Sequence, residues 1–322
     1  MMALQSRFLG CGHYLPERIV TNDDLAKTVD TSHDWIVERT GIQSRHFAED
    51  GVLTSDLATK AAENALKNAG LKADDIDLVI VATVTPDRTF PSTATLVQKN
   101  LDMNHGVAFD VSAACSGYLV ALSTAHQYLK SGHCKKALVI GAETFSRIID
   151  MNDRTTCVLF GDGAGAVVLS AENSNQDRGI IGLEMHSDGR CEGILKTSGG
   201  TSLTKTAGFI QMQGREVYRH AVNKLTESAI SIMQSYDVSN QDIDWMIPHQ
   251  ANLRIIEAVA KRLEVADEKI ITTVDHHANT SAASIPLALS EAWQDGKIKD
   301  GDLIIHEALG AGLIWGSALL RW

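Results

Sequence analysis

Residues 106–122 read GVAFDVSAACSGYLVAL. Val107 to Val111 is an apolar run of strand length, and Ser112, Ala113, Ala114, Cys115, Ser116 and Gly117 after it are all small. Tyr118-Leu119-Val120-Ala121-Leu122 then opens a helical pattern carried on by Ala125, Tyr128 and Leu129. The pattern predicts a buried strand turning sharply into a helix, with Cys115 at or just before the first helical turn. Unpaired backbone N–H groups at a helix start favour a thiolate over a thiol, so this position predicts a nucleophilic cysteine of low pKa. Small neighbours leave room for a substrate carbonyl and let N–H groups approach its oxygen. The plainer alternative is a small apolar cysteine packed beneath a helix.

The same unit recurs further along. Asp75-Ile76-Asp77 returns 167 positions later as Asp242-Ile243-Asp244, and Ala121-Leu122-Ser123 returns at the same distance as Ala288-Leu289-Ser290. Ala125/Ala292, Gln127/Gln294 and Lys130/Lys297 agree as well, making six identities in the fifteen positions from Ser116 and Ala283. One offset shared by two distant places predicts an internally duplicated strand–helix unit, and alternating helices and apolar strands predict an α/β fold. The polar stretch Ala171 to Arg178 is the natural boundary, dividing the chain into halves 1–172 and 173–322. Under this offset Cys115 maps onto Ala282, His249 onto Ala82, and Asn279 falls near Ser112. Only the first half therefore offers the thiol, and only the second offers the histidine and the amide. A pseudo-twofold relation brings these strand-to-helix turns to one cleft.

Other signals narrow the class. Hydrophobic residues at 44% and charged residues at 21% suit a globular enzyme of 322 residues. Five scattered cysteines with no C-x-x-C pair argue against a disulfide framework or structural zinc. No apolar stretch reaches the ~20 residues of a membrane span, and no secretory leader is evident, so the expected location is cytoplasmic. A net charge of −11 speaks against nucleic-acid binding, although an acidic partner can still dock on a local basic patch. Thr21 with Asp24, and Thr31 with Asp34, carry capping-box signals for two short helices. The second helix puts Trp35 and Arg39 on one face, either a half-buried tryptophan or an aromatic and a cation for a nucleotide base and phosphate. Phe160 to Gly165 is glycine-rich but runs into an apolar strand, so it reads as a turn, not a dinucleotide loop. His249 follows Pro248 at a strand end, where ligands bind in α/β folds. The neighbouring His276 and His277 have no H-x-x-x-H or carboxylate spacing, so no metal is expected.

The stretches DVSAACSGYL around Cys115, PHQANLRII from Pro248, NTSAASIPLAL from Asn279, FGDGAGAVVL from Phe160 and WGSALL near the C-terminus resemble the β-ketoacyl-[acyl-carrier-protein] synthase III family, within the thiolase-like fold. The resemblance covers nearly the whole chain and implies a layered α/β/α/β/α core. It implies a condensing acyltransferase that joins an acyl-CoA primer, acetyl-CoA first among them, to malonyl-carrier protein and so starts fatty-acid synthesis. It further implies a Cys115–His249–Asn279 triad, coenzyme A contacts at Trp35 and Arg154, and an acyl-pocket wall at Phe90. Carrier-protein contacts at Arg254 and Arg219, an oxyanion site at the backbone of Cys115 and Ala311, a homodimer, and no cofactor beyond the coenzyme A thioester complete the expectation.

Two departures stand out. The family usually shows an aromatic followed by three glycines where this chain has Leu309-Gly310-Ala311-Gly312, and a glycine where it has Ala278. If Ala311 needs positive φ, it is strained. The alternatives are a homologue handling other acyl groups in secondary metabolism, a non-catalytic acyl-CoA or carrier-protein binding module, and a structural subunit with an inert Cys115.

Overall fold

The computed structural model describes residues 4–173 and 178–322. One sheet has five strands in the spatial order Leu4–Tyr14, Gly163–Asn173, Lys136–Glu143, Leu78–Ala82 and Val107–Val111. The other has four, in the order Gly179–Ser187, Ile314–Arg321, Leu303–Gly310 and Trp245–Pro248. Taken in these orders, both sheets pair antiparallel, antiparallel, then parallel. Where the second sheet would take a fifth strand, the chain makes a single parallel bridge, Met246 to Ile270.

The offset of 167 runs through these elements. It relates Leu78 to Trp245 at the two strand starts, and Lys136–Glu143 to Leu303–Gly310 in full. The register Leu78↔Ala137 becomes Trp245↔Ile304. It also relates the 3₁₀ turn Ala114–Ser116 to Ser281–Ala283, and the helix starts Gly117 and Ser284.

Side-chain alternation explains the layers. Leu78 and Ile80 point to the interior with Val139 and Val167, where they meet Ile304, Ala308, Ala318 and Leu320 of the other sheet. Between them lie the helices Gly117–Lys130 and Ser284–Gln294, through Leu119, Leu122, Ile285 and Leu289. Val79, Val81, Leu138 and Ile140 face outwards under the helices Thr54–Ala69 and Thr93–Asn100. Ile305 and Leu319 face outwards under Gly214–Ser235 and Leu253–Leu263. Strands buried on both faces must be apolar at successive positions, as LVIVA at 78–82 is. The result is the expected α/β/α/β/α stack.

Local readings divide. Thr21 and Asp24 make the expected capping box, and Gly70 ends its helix at φ +67. The second box shifts by one: Ser32, not Thr31, caps His33–Thr40 by accepting from the Trp35 N–H. The Gly161 turn leads into the strand Gly163–Asn173, and buried Asp162 accepts from the N–H of Ala48 and of Ser146 and from the Ser146 hydroxyl. The middle of the expected boundary, 174–177, lies outside the described residues. Among those described, no helix is long and apolar enough to cross a membrane.

Glu307 sits wholly buried on Leu303–Gly310, and neither carboxyl oxygen has a hydrogen-bond partner among the described residues. Burial pushes its pKa up from 4.5 to about 8. The native state therefore holds a proton that the unfolded chain gives up, and this group's contribution to stability falls as pH rises from 4.5 through about 8. Glu307→Gln has no such proton to lose. Its thermal midpoint should gain on the parent's as pH rises across that window, as thermal unfolding would read; parallel curves would mean that Glu307 is not held neutral.

Candidate active site

Cys115, His249 and Asn279 line one cavity of about 460 Å³, together with Phe160, Leu195, Leu225 and Leu309. Three arginines, Arg39, Arg215 and Arg254, line it as well. Cys115 lies in the 3₁₀ turn Ala114–Ser116, directly before the helix that opens at Gly117. The thiol differs from the expectation. Burial pushes its pKa up to about 12, outweighing the lowering by the Ser281 side chain and by its own backbone N–H, so the resting group is a neutral thiol.

His249 follows the strand Trp245–Pro248, and its N–H donates to the Glu307 carbonyl at 2.8 Å. Burial lowers its pKa to about 3, so the ring is neutral. Its Nδ1 lies 2.7 Å from the Ser284 hydroxyl, which also accepts from the Gln250 N–H at 3.3 Å. A serine hydroxyl both donates and accepts, so Ser284 supports either tautomer of the ring. Asn279 is fixed from two sides. Its backbone donates to Leu159 and accepts from Gly161, while its Oδ1 accepts from the Ser281 N–H at 2.9 Å. That bond commits the oxygen and turns the amide's two N–H donors away from Ser281. The sequence reading missed Ser284 and Arg215, whose residue types signal nothing without the neighbours the fold supplies.

The remaining expectations fare differently. Trp35 and Arg154 meet, but outside the cavity: the guanidinium carbons of Arg39 and Arg154 lie 4.6 and 4.8 Å from the Trp35 ring centre. Arg39 joins that cluster to the cavity wall. Arg219 stands apart from the cavity and pairs with Glu216 at 2.6 Å, in a groove shared with Lys261 and Arg262. Phe90 is not a wall of this cavity: its side chain is 82% exposed, carried outwards by the segment before the helix at Thr93. Ala311 neither lines the cavity nor takes positive φ; Gly312 takes φ +140 instead. Gly310 is the close neighbour, since a Cβ there would fall 2.8 Å from the Cys115 nitrogen. Lastly, His276 and His277 have a carboxylate after all, Glu291, brought in by the next helix.

The family described as 3-Oxoacyl-[acyl-carrier-protein (ACP)] synthase III matches residues 109–189, and its C-terminal part matches residues 233–322. The Beta-ketoacyl-[acyl-carrier-protein] synthase III of Paramagnetospirillum magneticum is 57% identical, covering 99% of this chain and 100% of its own. The chain belongs to the β-ketoacyl-[acyl-carrier-protein] synthase III family. It is an acyl-condensing enzyme of the thiolase-like fold. The crystal structure of the Aquifex aeolicus 3-oxoacyl-[acyl-carrier-protein] synthase III superposes with a TM-score of 0.94 at 45% identity, over 98% of this chain and 100% of that one. The priming β-ketosynthase of the R1128 polyketide pathway superposes at 0.93 with 33% identity, over 99% and 97%.

Both departures from the family pattern lie at the site. Leu309 forms part of the cavity wall, where the family carries an aromatic. Ala278, wholly buried beside Asn279, sits at φ +57 and ψ −161, a region that glycine occupies freely and alanine does not. Such strain costs ~1–3 kcal/mol, against ~1 kcal/mol for glycine's extra freedom in the unfolded chain. Ala278→Gly should therefore be up to about 2 kcal/mol more stable than the parent in urea unfolding. A destabilised variant would show that the backbone is not strained there.

Proposed function

We propose that this enzyme condenses an acyl-CoA primer, acetyl-CoA first among them, with malonyl-acyl carrier protein in the cytoplasm, without a cofactor beyond the thioester. The observation that carries the proposal is the convergence of one thiol and two neutral donor side chains on one cavity. In the first half-reaction Cys115 Sγ attacks the thioester carbonyl, and the thiol proton passes through His249 to the departing coenzyme A sulfur. A thiol held at about 12 and a histidine held at about 3 do not form a resting ion pair, so proton transfer accompanies attack. Backbone N–H groups about Cys115 receive the oxyanion, and the bare approach of Gly310 keeps that space clear.

In the second half-reaction the malonyl carboxylate leaves as CO2, and its bonding pair becomes an enolate on the thioester oxygen. His249 Nε2–H and the Asn279 amide donate to that oxygen. The enolate carbon then attacks the acyl-cysteine, and the Cys115 thiolate leaves and takes up a proton. Step one needs a bare Nε2 and step two a protonated one; the Ser284 hydroxyl accommodates both by turning.

Binding follows the charges. Coenzyme A is read by Trp35 with Arg39 and Arg154, at the side of the cavity that Arg39 joins. The acidic carrier docks on Arg254 and Arg219, within a patch that Arg215, Lys261 and Arg262 extend. We also infer that halves 1–172 and 173–322 are duplicates, on the strength of the matching strand orders. Exposed Phe90 supports a homodimer, as the kind of large apolar side chain a second copy covers.

The division of labour is testable by labelled CO2 release from malonyl-carrier protein. Cys115→Ala should still decarboxylate, because the enolate oxygen needs only His249 and Asn279. His249→Ala and Asn279→Ala should each lose ~10²–10³ in decarboxylation, the effect of removing one aimed donor. Decarboxylation lost as fully in Cys115→Ala as in His249→Ala, at unchanged thermal midpoints, would refute the assignment.

A further inference from the structure

We propose that His276, His277 and Glu291 form a binding site for a divalent transition-metal ion of the zinc type. The histidines end the short helix Val274–His277, and Glu291 projects from Ser284–Gln294. His276 Nε2 lies 3.2 and 3.3 Å from the two Glu291 oxygens, and His277 Nε2 lies 3.0 Å from Oε2. Ligand atoms about 2.0–2.1 Å from a tetrahedral zinc stand ~3.4 Å apart, so these spacings are close to the edges of such a site. All three donor groups lie within 4.8 Å of one another.

The surroundings match as well. Asp275 Oδ1 lies 2.8 Å from His276 Nδ1, the carboxylate–histidine arrangement that fixes the proton on Nδ1 and frees Nε2 for a metal. In the empty site the hydrogen bonds to Asp275 and Glu291 push His276 up to about 10, so a protonated imidazole lies between two carboxylates, and an incoming divalent ion takes the place of that proton. His276 is 44% and Glu291 30% exposed in their side chains, leaving a path for the ion and an open fourth position. One feature limits affinity. With Nε2 of His277 on the metal, its proton moves to Nδ1, which is buried with no hydrogen-bond partner among the described residues. Affinity in the micromolar range follows, rather than the much tighter binding of a closed structural site.

The site stands apart from the chemistry but touches its supports. His277 precedes Asn279 by two residues, and Ser284 opens the helix that bears Glu291. A bound ion would pin these two segments together. The spacing escaped sequence reading because the carboxylate lies on the next helix.

Calorimetric titration of the whole protein with Zn²⁺ at neutral pH, with Mg²⁺ as the oxygen-preferring comparison, tests it. One ion should bind per chain, with proton release and no matching Mg²⁺ signal. Glu291→Gln and His276→Gln should each weaken binding about tenfold or more, while keeping the parent's thermal midpoint in chelator. Co²⁺ should show the visible bands of a tetrahedral complex in the parent and lose them in both variants. Zinc held instead by the Cys115 thiol would survive both substitutions and vanish in Cys115→Ala, which would overturn the proposal. Absence of binding up to about 1 mM, or unchanged affinity in whichever variant stays folded, would overturn it too.

Discussion

The close approach of two helix starts at the centre of the molecule governs the rest. A Cβ on Gly117 would come within 3.0 Å of the Ala82 Cβ and 3.2 Å of the Ala282 Cβ, and one on Gly141 would run into the Ala282 backbone. Only small residues let the turns Ala114–Ser116 and Ser281–Ala283 meet between the two sheets. That contact sets Cys115 of one half beside the Asn279 segment of the other. It also buries the site, and burial makes both the thiol and the imidazole neutral at rest. Under the proposed mechanism, a nucleophile stored as a thiol is protected until a thioester fills the cavity.

Much of this was legible in the chain because it depends on local pattern. The apolar run at 78–82, the small residues at 112–117 and the offset of 167 each leave a mark that periodicity reads directly. Family motifs pointed to Cys115, His249 and Asn279, and the fold brings all three to one cavity. What escaped depends on neighbours far apart in sequence. Ser284 acquires a role only when its hydroxyl meets His249, 35 residues away. The thiol's pKa was misjudged because the helix start is visible in the sequence, whereas the depth of burial opposing it is not. The tight packing of Gly310 on the Cys115 turn also escaped, since backbone approach within GAG cannot be read from composition.

Charge is distributed to match. The chain is acidic overall, yet Arg39, Arg215 and Arg254 line the cavity, and Arg219, Lys261 and Arg262 gather in the adjoining groove. A local basic field on an acidic body steers acidic ligands to one face and discourages them elsewhere. Arg39 belongs to both the Trp35 cluster and the cavity wall, and so connects the two.

The central claim is that this buried neutral thiol becomes the acyl carrier. Incubation of the protein with acetyl-CoA alone, followed by intact mass and peptide mapping, tests it most directly. The account predicts one acetyl group per chain, on Cys115, with Cys11, Cys134, Cys157 and Cys191 unmodified. No acetyl adduct, or one carried by another cysteine while Cys115 stays free, would contradict it.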